Sequence, residues 1–384
     1  MIEQKNQSER LKSSSEPASG VESGTERHAP DLASRIDIRD IRAIAPNFKR
    51  RLSGVTSTIV QLVPKQRELG HPVAALGPGL PAGFPRVRFR DLWHLWLSPR
   101  GACYRVWHAR RNVEMVPGII LRDILRMKLK VMFTSDAQRD HKAFTRWLIS
   151  RMDYVVAGNS RSGSYLKVPH QVIWHGVDIE RFRPSGPEDR INVTPEFPGQ
   201  KLVGCFGRVR DQKGTDLFVR AMINLIPKYP GWTAVIAGRT TAEHAAFQKQ
   251  LQMEVDAAGL RDRIVFLGEV DDIKPWYQRI DLYVAPSRNE GFGLTPLEAM
   301  ASATAVVASD AGAYQDMVTP GTNGLLVPAG NGPALENAIA EYLGNPDRVE
   351  KEKLVCLDFV RAEFSLEREA HSLIQVYQQL QERC

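Results

Sequence analysis

Short apolar runs recur along the chain, each followed by a longer stretch with helical spacing. In the first half the runs are IRAIAP, VAALG, YRVWHA, KVMFTS, DYVVAGNS and HQVIWHG. Helical segments lie between them near Val55–Glu68, in the amphipathic stretch GIILRDILRM and in FTRWLISRM, while GPGLPAGFP is a turn-rich connector. RFRPSGPEDRINVTPEFPGQK then breaks the rhythm with proline, glycine and charge, as a linker does. The second half repeats the alternation with KLVGCFG, TAVIAG, RIVFLG, DLYVAPS, TAVVASD and GLLVP, and LEREAHSLIQVYQQLQE closes the chain as a long helix. Strand–helix alternation predicts parallel sheets wrapped by helices. The expected fold class is therefore α/β, with two Rossmann-like doubly wound domains facing each other across a cleft at the carboxyl ends of their strands. The expected division is a disordered tail over 1–36, a first domain over 37–183, a linker over 184–200 and a second domain over 201–362. A C-terminal helix over 363–384 is free to pack back towards the first domain.

The length of 384 residues supports two domains rather than one core. The first 35 residues are rich in Ser, Glu and Gly, too polar to bury a core, and lack the apolar block of a secretory signal. No apolar run is long enough to span a membrane. Cys103, Cys205, Cys356 and Cys384 are far apart and form no C-x-x-C pair, which suits a reducing, cytosolic setting. The net charge of +7 is unevenly divided. Residues 37–183 hold 26 Lys+Arg against 11 Asp+Glu, and residues 184–384 hold 20 against 27. A basic first half suits an anionic lipid surface or a phosphorylated substrate, or else is a solvated surface without a partner. Nucleic acid is disfavoured, because no recognised module is present and the second half is acidic. Neither GxGxxG nor GxxxxGK[ST] occurs, so dinucleotide and P-loop readings lose their main support.

The stretch APSRNEGFGLTPLEAMA, Ala285–Ala301, carries the sharpest chemistry. Thr295, Pro296 and Glu298 suit the N-cap, N1 and N3 positions of a capping box, which accounts for Glu298 without any ligand. Glu290 has no such explanation, since it precedes a glycine-flanked loop. Gly291 and Gly293 let backbone approach a ligand closely, and free amides at the helix start favour an anion. A phosphate or phospho-sugar site and a tight structural turn both remain open for this loop. In CFGRVRDQKGTDLFVRAM, Arg208 and Lys213 follow a strand and would stabilise charge on a departing diphosphate, unless they are simply solvated. The loop at Ser53–Thr56, with Gly54, is a weaker candidate on the facing domain.

GRVRDQKGTDLFVRAM, FLGEV, LYVAPSRNEGFGLTPLEAMA and GAYQDMVTPGTNGLLVPAGN, in this order, resemble the retaining nucleotide-sugar glycosyltransferases of family 4. VIWHGVDIERFRP resembles the segment leading into that family's linker, and the likeness covers about residues 40–345. YRVWHARRNVEMVPG and KVMFTSDAQRDHKAFTRWLISRMD are most similar to the lipopolysaccharide core mannosyltransferases of rhizobia and relatives. The resemblance implies the GT-B fold and a nucleotide-sugar donor, GDP-mannose before UDP-glucose or UDP-galactose. It also implies a lipopolysaccharide core or lipid-linked glycan acceptor, and no cofactor. Glu290 matches the first glutamate of the family's E-x7-E motif, at the transferred sugar, and Glu298 the second, at the donor ribose. Arg208 and Lys213 match the pair that neutralises the diphosphate. Gly291, Phe292, Gly293, Leu294 and Thr295 match the donor-binding loop, and Gly54 the glycine loop of the acceptor domain. Where many members have an acceptor-domain histidine this chain has Ser135, with Asp136, Arg139 and His141 as substitutes. Glu269, Asp271 and Asp272, after RIVFLG, could read a guanine or be solvated. No D-x-D triplet occurs, so metal independence is expected. The expected enzyme is cytoplasmic, in peripheral contact with the inner membrane through its basic domain. A sugar-nucleotide epimerase of like architecture is the alternative from another class.

Overall fold

The computed structural model describes residues 36–49, 54–186 and 196–382, and its thirteen strands form two parallel sheets. The tail over 1–35, Ser53, the middle of the linker and Cys384 lie outside the described residues. The first sheet contains β1 (Ala43–Pro46), β2 (Val73–Leu76), β3 (Arg86–Val87), β4 (Arg105–Ala109), β5 (Leu129–Ser135), β6 (Tyr154–Ala157) and β7 (Gln171–Val172). The second contains β8 (Lys201–Phe206), β9 (Trp232–Ala237), β10 (Ile264–Gly268), β11 (Leu282–Ala285), β12 (Ala305–Ser309) and β13 (Leu325–Val327). Their orders are β3-β2-β1-β4-β5-β6-β7 and β10-β9-β8-β11-β12-β13, so each reverses direction once, between β1 and β4 and between β8 and β11. Loops leaving the carboxyl ends of such a pair diverge, and the crevice between them is where open α/β sheets bind ligands. Central strands are buried along their whole length, as parallel strands covered by helices on both faces must be.

β3, directly after the turn-rich connector, and the shortness of β7 depart from the sequence pattern. Both residues of β7 are exposed at the sheet edge, and the apolar run continues beyond it as an irregular segment crossing to the second domain. GIILRDILRM is not one amphipathic α-helix. Asn112–Ile119 is α-helical with Pro117 inside, and the wider π-type turn Ile120–Ile124 follows, with Leu125 N bonded to the Ile120 carbonyl at 3.0 Å. Cys205 and Cys356 are free and buried, whereas Cys103 is disulfide-bonded, so the cysteine pattern does not itself argue for a reducing compartment.

The C-terminal helix, Leu366–Gln381, does not belong to the sheet that precedes it in sequence. Its Leu373, Val376, Tyr377 and Leu380 pack with Ile59, Leu62 and Val63 of the first helix and with Ala43, Val73 and Val106 of the first sheet. Two crossings therefore join the halves. They run side by side, with Val177 bridged to Ser365 and Gly176 so close to Ser365 that a Cβ would lie 2.4 Å from its carbonyl oxygen.

Candidate active site

Two loops meet at the switch point of the second sheet. The first leaves β8 and runs through Arg208 and Lys213 to Gly214, where the helix Thr215–Leu225 begins. Gly214 has φ +69°, and a Cβ there would lie 1.9 Å from the Pro286 carbonyl oxygen, so only glycine lets this loop lie against the one leaving β11. Arg288 ties the two together. Its guanidinium donates to both carboxylate oxygens of Asp216, at 2.7 and 2.8 Å, and to the Asp211 carbonyl at 2.6 Å. Burial of Asp216 works against its charge, but Arg288 outweighs it and holds the carboxyl below its usual range.

This fastening places Lys213 Nζ on Glu290 Oε2, in a charge-assisted hydrogen bond between mostly buried side chains. Glu290 thus has a partner that its sequence context did not announce. Gly293, at φ +86°, folds the loop back over it, since a Cβ there would lie 2.6 Å from Glu290 Cγ and 2.5 Å from the Tyr314 ring. A Cβ at Gly291 would meet nothing within 4 Å, so of the two glycines only Gly291 leaves open space. Arg208 is exposed at the rim of a narrow recess, which Lys213, Ser287, Thr295, Tyr283 and Tyr314 also line. Arg210 is the cation that motif matching passed over. Its Nε is buried without a hydrogen-bond partner among the described residues, and burial together with the charge of Arg208 lowers its pKa. Three cations in one short loop leave positive charge to be met by an anion.

The capping box expected at Thr295 and Glu298 does not form. Leu294 already has helical dihedrals, φ −72° and ψ −16°, so the helix Thr295–Ala301 starts one residue early and Thr295 falls inside it. Thr295 instead lines the recess beside Tyr283 and Tyr314, whose phenols burial holds well above their usual range, and Tyr283 Oη donates to the Phe206 carbonyl at 3.2 Å. Glu298 Oε2 accepts from Tyr277 Oη at 2.9 Å, and burial raises its pKa against the pull of Tyr277, Arg181 and Lys213. Glu298 is therefore a desolvated carboxylate at the site, not a cap.

The first domain reaches this loop from the opposite wall. Gln138, in the loop after β5, donates through Nε2 to the Gly291 carbonyl. The His175 ring lies 4.8 Å from that of Phe292, with the planes 76° apart. Among the substitutes for an acceptor-domain histidine, Asp136 is committed to His175 Nε2 at 3.0 Å, Ser135 Oγ lies 3.4 Å from His141 Nε2, and Arg139 is exposed. Gly54 opens the helix Gly54–Glu68 with free space above it and makes none of these contacts. Asp272 Oδ1 accepts from Lys274 N at 3.0 Å, a local turn contact, and Glu269 is exposed.

A profile described as "Glycosyl transferases group 1" matches residues 200–345. The chain is 61% identical over 345 residues to the lipopolysaccharide core biosynthesis mannosyltransferase LpcC of Rhizobium leguminosarum bv. viciae, covering 90% of this chain and 98% of that one. It is 52% identical over 350 residues to the lipopolysaccharide core biosynthesis mannosyltransferase LpsB of Rhizobium meliloti, covering 90% and 99%. Among solved structures, a glycosyltransferase from Rickettsia africae superposes with a TM-score of 0.76 at 17% identity, over 90% of this chain and all of that one, a likeness of fold.

Proposed function

Because the chain belongs to the group 1 glycosyltransferases, beside the lipopolysaccharide core mannosyltransferases, we propose that it moves mannose from GDP-mannose to a lipopolysaccharide core acceptor with retention at the anomeric carbon. The observation that carries the site assignment is Lys213 paired with Glu290 beside the recess rimmed by Arg208. In the transfer, the bond from the anomeric carbon to the donor phosphate breaks, with its electrons leaving on the diphosphate. Arg208, Lys213 and the backbone amides near Gly293–Thr295 are aimed at that developing charge. The acceptor oxygen bonds to the same face of the sugar and passes its proton to the leaving phosphate. Glu290 holds sugar hydroxyls and Glu298 the ribose, so binding exchanges the Lys213–Glu290 pair for two pairs with the donor. Protein cations meet the diphosphate charge directly, so turnover is expected to survive chelator treatment.

The test is purified protein with GDP-mannose, UDP-glucose or UDP-galactose and truncated lipopolysaccharide acceptors. Mannosylated acceptor is expected from GDP-mannose alone, and transfer from a UDP-sugar instead would overturn the donor assignment. Incubation with donor alone separates transfer from epimerisation, because an epimerase releases an altered sugar nucleotide without acceptor.

The acceptor's lipid bears on where the enzyme works, at the cytoplasmic face of the inner membrane. No described helix is long and apolar enough to cross a bilayer. The first domain does expose Trp93 (71%), Ile124 (70%), Phe144 (57%) and Trp147 (53%). Trp96 Nε1 bonds to the Leu125 carbonyl at 2.7 Å and Arg151 to Asp123 at 2.7 Å, joining these segments into one face. Arg90, Arg126 and Arg146 are exposed among them, the combination that suits an anionic bilayer surface. Co-sedimentation with phosphatidylglycerol vesicles but not phosphatidylcholine vesicles is expected, weakened by Trp93→Ser with Trp147→Ser. Equal partition to both vesicle types would remove the anionic-surface reading.

A further inference from the structure

Behind the donor loop, three residues from three elements form a buried line. His175 Nδ1 lies 2.7 Å from Glu369 Oε1 on the C-terminal helix, and His175 Nε2 lies 3.0 Å from Asp136 Oδ1 in the loop after β5. Glu369 Oε2 also accepts from Gly176 N at 2.8 Å, at the start of the crossing to the second domain. The line is built without slack, since a Cβ on Gly158 would lie 2.0 Å from Asp136 Oδ1 and 3.0 Å from His175 Nε2. A neutral imidazole has one N–H, so with a carboxylate at each nitrogen one oxygen would face a lone pair. Only the imidazolium satisfies both. Burial works against that charge, but Asp136 and Glu369 outweigh it and raise the pKa of His175 to about 10. The other ionisable groups near the line are Arg110, which acts on Asp136, and His108, which burial keeps neutral between Thr134 and Tyr377.

Asp136, His175 and Glu369 all belong to the body of the first domain, because the C-terminal helix packs there. Phe292 belongs to the second. The ring contact between His175 and Phe292 therefore spans the cleft, as does the hydrogen bond from Gln138 to Gly291. Both land on the two residues that follow Glu290. Ser160 N to Asp316 Oδ2, at 2.8 Å, and Arg161 Nη1 to the Asp310 carbonyl, at 2.7 Å, close the same seam farther out.

We propose that His175 is a positioning residue for the transfer reaction: clamped between Asp136 and Glu369, it forms a rigid stop on which Phe292 seats when the domains close. Seating fixes the loop that carries Glu290 and shuts water out behind the sugar. This assignment rests on the donor site being the one described above. It adds that the loop's working shape is imposed from the opposite domain, and that the protonated ring is the form that imposes it.

The test compares wild type with His175→Gln, Phe292→Leu and Asp136→Asn, after thermal melting has established that each is folded. His175→Gln and Phe292→Leu are expected to lower kcat for acceptor transfer at least tenfold. Nucleotide affinity by calorimetry should stay within about twofold, and the share of donor lost to hydrolysis should rise. Phe292→Leu keeps the test alive if the histidine variant does not fold. Asp136→Asn removes one of the two carboxylates, so the His175 titration, followed by NMR, is expected to fall towards neutrality. Transfer by that variant should then decline as pH rises from 6 to 8, a limb that wild type lacks. A His175→Gln enzyme with wild-type kcat and wild-type hydrolysis share would overturn the proposal, and so would a flat pH profile in Asp136→Asn once its His175 titration has moved. Failure of the wild type to use GDP-mannose would instead count against the donor reading, and the same comparisons would then be run on whichever sugar nucleotide it does use.

Discussion

The two sheets share one topology and treat charge at their switch points in opposite ways. At the first, Arg111 and Glu114 pair at 2.9 Å with side chains 11% and 0% exposed. Arg110 N donates to Glu114 at 2.8 Å, and Arg111 also reaches Asn47 Oδ1 at 2.9 Å. Among the described residues, the Arg111–Glu114 pair is thus consumed within the protein. At the second, Arg208 is exposed, Arg210 is incompletely satisfied, and Lys213, paired with Glu290, lines a recess, while the Arg288–Asp216 pair ties the two loops together. Among the described residues, the cation at the first crevice is buried and paired, whereas the second crevice keeps an exposed one. Topology alone therefore cannot say which switch point is reactive, but the state of its charges can.

Glu290→Ala should widen the contrast most. We expect kcat/KM for transfer to fall by about 10³-fold or more, with a thermal transition close to wild type, because Lys213 can turn to solvent at the recess. Measurable transfer within tenfold of wild type would place the reactive carboxylate elsewhere. Arg288→Ala removes the fastening between the two reactive loops without touching the donor. It should lower kcat/KM by roughly 10²-fold through misplacement of Lys213 and Glu290, with partial recovery in Arg288→Lys. Glu114→Gln tests the other crevice. Leaving Arg111 buried without its counter-charge should cost about 3–5 kcal/mol in denaturant unfolding, while kcat of the folded fraction stays within a few-fold. A large kcat effect with unchanged stability would erase the distinction between the two switch points.

Two smaller effects sharpen it. The folded pKa of His175 lies above that of a free histidine, so its contribution to stability is fully present below about pH 6.5 and is lost as pH rises towards about 10. The Tm gap between wild type and His175→Gln should therefore narrow across that interval, and a gap that is constant or widens would contradict the clamped imidazolium. Tyr277→Phe removes the hydrogen bond to Glu298, worth about 1 kcal/mol. A rise of about fivefold in donor KM with little change in kcat is the expected result.

What could be read from the sequence follows from how far apart the interacting residues are. Strand–helix alternation is local and announced both sheets. Arg208, Lys213 and Glu290 were found because each follows a recognisable strand, so the topology brings them to one end of the sheet. The Arg288–Asp216 clamp joins residues 72 apart, Gln138 and Gly291 are 153 apart, and His175 and Glu369 are 194 apart. No local pattern marks those partners, and each depends on a packing that only the fold supplies. The Thr295 capping box failed for a related reason. The local signal was sound, but the loop enters the helix with Leu294 already in helical dihedrals, so the cap position falls one residue before Thr295. Glu298, which the cap accounted for in the sequence, accepts from Tyr277 Oη instead.

The return of the C-terminal helix to the first sheet has a consequence for how the protein is made. Ile59, Leu62, Val63 and Val106 are covered by residues at the very end of the chain. During synthesis the second domain has every one of its strands outside the ribosome before those covering residues emerge. The half that is translated first is thus the half that finishes folding last, and until then it presents an uncovered apolar trough. A protein truncated before Leu366 would keep that trough permanently, whereas in the chain that retains the helix a cut at the linker would leave the second domain anchored to the first.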